Sequence, residues 1–340
     1  MTVLDVHPVG FDTAARVFGG DVAGGVGAAV EVLLTALDPC YGMAGTDDNA
    51  QHWAPPYDTG ARTAITAFDD LATAAFGLAA LLEQCAINYA GAEAACLPGQ
   101  SATQSATRWA RIHPTRHHPP PAAAGLALPE PEGWSLLAHL IARLWPNGHQ
   151  DLLHTAADAW HTAATTLHNL RPVLDHAVRQ VADQQHAPEI ADAITVLTHY
   201  TTATAQLAQH CSHLANTCHD LAHALDQAHT TIAHQCLDFL NTTIAAETAG
   251  GLLAAATAGL AEAAAQAIVI RAGYTAATTI RHTIDTLTTL TTDIATNLDT
   301  LTTRLTTLSQ DLEPTLARTT IQASVARPGI AGVTDVPATS

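Results

Sequence analysis

The sequence predicts an all-α protein, an antiparallel helical hairpin followed by an elongated helical bundle with long coiled-coil-like helices. Three observations predict it. Apolar residues recur at alternating spacings of three and four over most of the chain, the pattern of helices with one buried face. Hydrophobic residues make up 48% of the 340 residues but aromatics only 4%, so the apolar mass is alanine, leucine and valine, which suits close helix packing. A Pro-rich stretch divides the chain into a hairpin at 1–96, a linker at 97–132, a helical bundle at 133–324 and a disordered tail at 325–340.

In the hairpin, Val22, Val26, Ala29, Leu33 and Leu37 form one seam on residues 9–37. Gly19, Gly20, Gly24, Gly25 and Gly27 interrupt it, each costing ~1 kcal/mol against alanine. They mark a kink or a face where another backbone approaches closely. Asp38 to Ala54 reads as the connecting loop, with Trp53 in a Pro-rich turn. The second helix is expected just after Pro55 and Pro56, which suit a first turn. Its seam is Ile65, Phe68, Ala72, Ala75, Ala79, Leu82, Ala86 and Tyr89. From Tyr57 to Ala94 it would run ~57 Å at ~1.5 Å per residue, too long to bury its seam alone.

A helix-loop-helix with tryptophan in its turn and Tyr-x-x-x-Asp/Glu after the second helix resembles the WXG (ESX-type) proteins exported by type VII secretion. The resemblance implies an export signal at Trp53, Tyr89 and Glu93. It implies as partner either a WXG-type helical hairpin or the secretion ATPase machinery. Trp53-Ala54-Pro55 stands where the family has Trp-x-Gly.

The linker holds Pro98, Pro114, Pro119 to Pro121, Pro129 and Pro131, and its His113, His117 and His118 read as solvated. Beyond it, Leu136, Leu137, Leu140, Ile141, Leu144 and Trp145 predict a short helix. Pro146-Asn147-Gly148 predicts a turn. A new helix then runs through Leu152, Leu153, Ala156, Trp160, Ala163, Ala164 and Leu167 until Pro172 kinks or breaks it. Trp-Pro-x-Gly followed about a dozen residues later by tryptophan resembles the N-terminal domain of CpnT-like channel proteins and of actinobacterial polymorphic toxins. Trp145, Pro146, Gly148 and Trp160 carry that motif, in a structural role. His149 stands where the family often has an acidic residue.

The longest seam runs from Ile194 to Phe239 and has coiled-coil character. His210, His213, His219, His223, His229 and His234 fall off it and read as a polar outer face. Residues 241–274 are rich in Ala and Gly. Glu247, Glu262 and Gln266 break the apolar run, so a packed hairpin turning at Gly250-Gly251 is expected over a membrane span. A last heptad helix follows from Ile280 to Leu312, with Pro314 just past its end.

Composition narrows the function. All 13 basic residues are arginine against 31 acidic ones, a formal charge of -18. A phosphate-backbone ligand needs basic patches, so no nucleic-acid binding is expected. Protonating all 20 histidines would bring -18 to +2, carrying the chain through neutrality on acidification. Cys40, Cys85, Cys96, Cys211, Cys218 and Cys236 show no zinc spacing and read as small core hydrophobes. No phosphate loop, nucleophile elbow or zincin helix occurs, so no catalytic residue, no cofactor, no metal and no enzyme activity are expected. The N-terminus lacks a basic region followed by an apolar core, as expected for type VII export and also for a cytoplasmic protein. Only residues 313–340 follow the last seam, too few for an enzyme. The expectation is therefore a non-enzymatic type VII secretion substrate, secreted or at the cell envelope. It would be the delivery region of a polymorphic-toxin-like system lacking its toxin module. A membrane-inserting channel-like protein and a cytoplasmic adaptor or immunity partner are the alternatives.

Overall fold

The computed structural model describes residues 5–96, 108–112, 114–182, 185–186, 188–257 and 260–325. The tail expected at 325–340 lies almost wholly outside them, as do His113 and the first part of the linker. The molecule is a helical assembly, as the periodicity requires. Its one sheet among the described residues is a two-residue antiparallel ladder, Asp5–Val6 against Gln185–His186.

The first arm of the hairpin is a rod of three segments: α1 (Pro8–Arg16), a π-type segment at Val17–Val22 and α2 (Ala23–Leu37). A π-type segment stands where a kink or close approach is expected, and it contains Gly19 and Gly20. The close approaches are made by side chains rather than backbone. A Cβ on Gly19 would meet the Trp109 indole at 2.4 Å, and one on Gly25 would sit 2.8 Å from Leu170 Cδ2. Gly20, Gly24 and Gly27 face open space.

The second arm, α3 (Asp48–Cys96), starts well before the expected position. Trp53 therefore lies inside this helix, not in the turn. Pro55 and Pro56 are interior residues rather than a first turn. The helix tolerates them because they lie on its outer side while Trp53, Ala54 and Tyr57 are buried. The carbonyls left without an N–H partner at Gln51 and His52 belong to exposed residues that water reaches. The start is set by Asp47, whose Oδ1 accepts from the backbone N–H of Asn49 at 2.7 Å and of Ala50 at 3.4 Å, an N-cap. Tyr89 and Glu93 fall in the last two turns, where the hairpin pattern requires them.

α4 (Trp134–Ile141) is shorter than the apolar pattern suggests. Ala142 adopts φ 51, a left-handed end, and Leu144 and Trp145 leave the helix. α5 (Gln150–Asn169) and α6 (Arg171–Ala182) meet at Leu170, so Pro172 sits in a first turn and the chain does break there. α7 (Pro188–Thr257) and α8 (Leu260–Val325) form an antiparallel pair of 70 and 66 residues. α7 runs through Gly250-Gly251, so the turn expected there is absent. α8 likewise runs through Pro314.

α8 packs along α3, α5 along α2 and α7, and α1 along α3. One hydrophobic core extends from Phe11 through Trp53, Trp160 and Leu214 to Leu305, so hairpin and bundle share it. The alanine seam of the hairpin thus finds its company inside the same chain. α1–α2 and α3 are long and apolar enough to cross a membrane, but 50% and 67% of their apolar windows are buried in this core.

Candidate functional site

The Trp-Pro-Asn-Gly segment lies where the hairpin tip meets the bundle. Trp145 stacks on His229 of α7 at 4.6 Å and meets Trp134 edge-on at 5.6 Å. The Pro146 carbonyl accepts from His229 Nε2 at 2.5 Å, while Gln150 donates its amide to Nδ1 at 2.7 Å, so one neutral tautomer satisfies both. Burial pushes His229 below its ordinary value, opposed by the Pro146 carbonyl. Asn147 Oδ1 accepts from the Thr46 N–H at 2.7 Å, and its Nδ2 donates to Thr46 Oγ1 at 3.0 Å. The Asn147 N–H donates to Asp47 Oδ2 at 2.7 Å. Asp47 therefore caps α3 and anchors the motif together. Burial raises its pKa, and the backbone N–H groups of Asn147, Asn49 and Ala50 oppose that. Gly148 is a contact point, since a Cβ there would lie 2.7 Å from Leu225 Cδ1 and 2.9 Å from the Ala44 carbonyl oxygen. The segment leaves as His149 donates its N–H to the Met43 carbonyl at 2.8 Å.

The two motif tryptophans of different regions are joined. Trp160 of α5 donates Nε1–H to the Tyr57 hydroxyl at 2.8 Å, and Tyr57 stacks on Trp53 at 4.6 Å and 15°. Trp53 and Trp160 are fully buried. Trp53 therefore has no surface to offer to a secretion machinery. Nor does it lie near Tyr89 and Glu93, which are ~54 Å and ~60 Å along α3 at ~1.5 Å per residue. At that far end Tyr89 is half-buried and stacks on Phe11 at 5.7 Å and 9°. Glu93 is exposed one turn further on the same face.

Between these two ends the described part of the Pro-rich stretch, residues 108–112 and 114–132, forms a strap along α3. Glu83 takes Arg108 at 2.9 Å, and Trp109 covers Gly19 and Phe76. Asp70 pairs with Arg116 at 3.4 Å. Asp69, almost fully buried, accepts the His117 N–H at 3.0 Å and holds its ring Nδ1 at 2.6 Å. Asp58 accepts the Ala123 N–H at 2.9 Å. The strap ends on the hairpin loop, where Gly42 and Ala44 donate to the carbonyls of Ala122 and Ala123. The acids of α3 thus hold the strap along the helix, which no sequence period announces.

Of the six α7 histidines read as an outer face, His210 is buried and His229 half-buried; His219 and His223 remain exposed. His210 Nε2–H donates to the Gly60 carbonyl at 3.2 Å, and burial lowers its pKa to about 4. Cys40, Cys211, Cys218 and Cys236 are buried free thiols and Cys85 is half-buried. Burial raises Cys40 and Cys236 to about 11 and the other two further, which keeps them as packing groups. Among the described residues no three His, Cys, Asp or Glu side chains are disposed to hold a metal ion.

The family described as WXG100 like domain matches residues 126–273. The chain carries a WXG100-like domain. That domain takes in the last turn of the strap, α4 to α7 and the beginning of α8, and so contains Trp145, Pro146, Gly148 and Trp160. The hairpin of residues 1–96, which packs on it, lies outside the match. The chain is 32% identical over 169 residues to the outer membrane channel protein CpnT of Mycobacterium tuberculosis and of Mycobacterium bovis, covering 48% of this chain and 19% of CpnT. It is 32% identical over 166 residues to a Mycobacterium avium protein named as an NAD(+)–arginine ADP-ribosyltransferase, Mav, covering 48% of this chain and 20% of Mav. The chain therefore spans about a fifth of the length of the relatives it matches. No solved structure matches it.

Tyr57, Asp47, Asn147 and His229 are the residues of this junction that sequence reasoning missed. Asp47 had a signal, an acid immediately before a long apolar helix. The others join elements far apart in sequence and had none.

Proposed function

We propose that this protein is a non-enzymatic type VII secretion substrate, the helical delivery region of a polymorphic-toxin-like system. The observation that carries the reading is the Tyr89–Glu93 pair. The two side chains lie one helical turn apart at the end of a WXG-type hairpin, with Glu93 open to solvent, in a chain whose residues 126–273 match a WXG100-like domain. In this reading Tyr89 and Glu93 are the export signal. Trp53 acts only by fixing the tip of the hairpin. The secretion ATPase machinery is the partner to which that end is open. A WXG-type partner hairpin would have to seat on another face, because the chain's own α5, α7 and α8 cover the alanine seam. The protein would be secreted or held at the cell envelope.

Export tests this. Tyr89→Ala should abolish appearance of the protein in culture filtrate of a mycobacterial host with type VII secretion. A cytoplasmic adaptor or immunity partner predicts no filtrate signal even for the unaltered chain.

A second reading, a membrane-active protein, is favoured by one feature. Ile244, Ile268, Ile270 and Tyr274 are large, apolar and more than half exposed near one end of the α7–α8 pair. Leakage of dye from liposomes, at neutral and at acidic pH, would support it. Absence of leakage at both would leave export as the reading.

A further inference from the structure

A groove of about 440 Å³ lies between α7 and α8, lined by Gln206, Gln209, His210, His213, Arg304 and Thr307 with Leu301 and Leu305. Its charge is anomalous. The chain has a formal charge of -18, yet the titratable groups facing this groove are two histidines and an arginine, with no carboxylate among its lining residues. The Arg304 guanidinium makes no ion pair among the described residues. The amides of Gln206 and Gln209 are exposed and make no hydrogen bond among the described residues. At the bottom is His210, 3% exposed. Its Nε2 is committed to the Gly60 carbonyl of α3, and its Nδ1 has no partner at all. A buried polar atom left unpaired costs about 1–3 kcal/mol, so the unpaired Nδ1 leaves room in this groove for one more hydrogen-bonding group.

We propose that this groove is a binding site for an oxyanion, a carboxylate or phosphate group, held by Arg304 and His213 and by the Nδ1 of His210. A guanidinium presents paired N–H donors that match two oxygens of such a group. The two glutamine amides supply further donors at the rim. His210 couples binding to acidity. With Nε2–H given to Gly60, Nδ1 of the neutral ring is an acceptor and offers nothing to an anion. Protonation turns it into a donor. Burial and the neighbouring His213 hold the free ring's pKa down, at about 4. An anion at Nδ1 favours the charged form and raises that value, so binding must tighten as pH falls. The groups that act on the ring are the Gly60 carbonyl of α3 and His213 of α7, and Arg304 of α8 lines the same groove.

The test uses the full chain and two probes, inorganic phosphate and acetate, followed by the histidine ring signals in NMR titrations near pH 7.5 and pH 5.5. The expected result is a saturable shift of the His210 and His213 signals with at least one probe, tighter at the lower pH. Arg304→Gln should weaken it about tenfold or more, the loss of a charge-assisted contact. Arg304 is exposed, so this variant keeps the fold. Saturation by phosphate would assign a phosphate-bearing ligand, and saturation by acetate alone a carboxylate. No saturable shift with either probe, or equal affinity in Arg304→Gln, would overturn the proposal. Neither outcome bears on export through Tyr89 and Glu93.

Discussion

Replacing Gly148 by alanine isolates the contact on which the junction depends. The added Cβ would lie 2.7 Å from Leu225 Cδ1 and 2.9 Å from the Ala44 carbonyl oxygen. The leucine methyl can rotate away. The carbonyl cannot, because the loop around it is fixed by the Ala44 N–H to Ala123 and by Met43 accepting from His149. Gly148 does not have a positive φ, so the backbone itself accepts alanine and the whole effect is steric. Forcing a methyl group into a packed site costs about 1–3 kcal/mol, and the fixed carbonyl places this one at roughly 2 kcal/mol. The assay is urea unfolding followed by far-ultraviolet circular dichroism. The midpoint should fall while the slope holds, the signature of a changed stability in one cooperative unit. Gly24→Ala is the internal control of opposite sign. Nothing lies within 4 Å of a Cβ there, so alanine should stabilise α2 by about 0.5–1 kcal/mol. A Gly148→Ala protein as stable as the unaltered chain would refute the reasoning that the Trp-Pro-Asn-Gly segment is wedged between hairpin and bundle.

Other expectations follow from the same geometry. Trp160→Phe removes the donor to a fully buried tyrosine hydroxyl and should cost about 1–3 kcal/mol in the same unfolding assay. Acid should weaken the fold. His210 titrates at about 4 when folded and at ~6.5 when unfolded, so the unfolded chain binds its proton first. Stability is then lost as pH drops below ~6.5 and the loss is complete below about 4. Between pH 7.5 and 5 it should reach about 2 kcal/mol from this ring, and His229, whose pKa is also lowered, adds to it. Unfolding curves of His210→Gln across that range should be flatter than those of the unaltered chain. His117→Ala removes the ring held by Asp69 and should speed proteolytic cleavage within residues 108–128 without moving the global midpoint by more than about 1 kcal/mol.

The seams were legible because a heptad pattern survives on helices that pack over many turns. Leu207, Cys211, Leu214, Cys218, Leu221 and Leu225 are all buried, as their spacing requires. Terminators were only partly legible: Pro172 marks a real break between α5 and α6, but others do not. Pro55-Pro56, Gly250-Gly251 and Pro314 each read as an end or a turn, and each lies inside a helix. Ala142 does the reverse, ending α4 in a left-handed conformation inside an apolar run that gives no warning. The motif residues Trp145, Pro146, Gly148 and Trp160 could be named from spacing. Their partners could not, because Asp47 to Asn147 and Tyr57 to Trp160 close across about a hundred residues of chain. Histidine is the remaining blind spot. An imidazole on a helix face suits water or a buried hydrogen bond equally well, and only the packing of α3 and α8 separates His210 from His219.

The most direct test of the delivery role is the ratio of protein in culture filtrate to protein in cells for Glu93→Ala, measured beside its unfolding midpoint. Glu93 is exposed at the end of α3, so the midpoint should not move. The account predicts that export nonetheless falls about tenfold or more, the effect of one lost charge-assisted contact. Undiminished export of Glu93→Ala, with the fold intact, would contradict it.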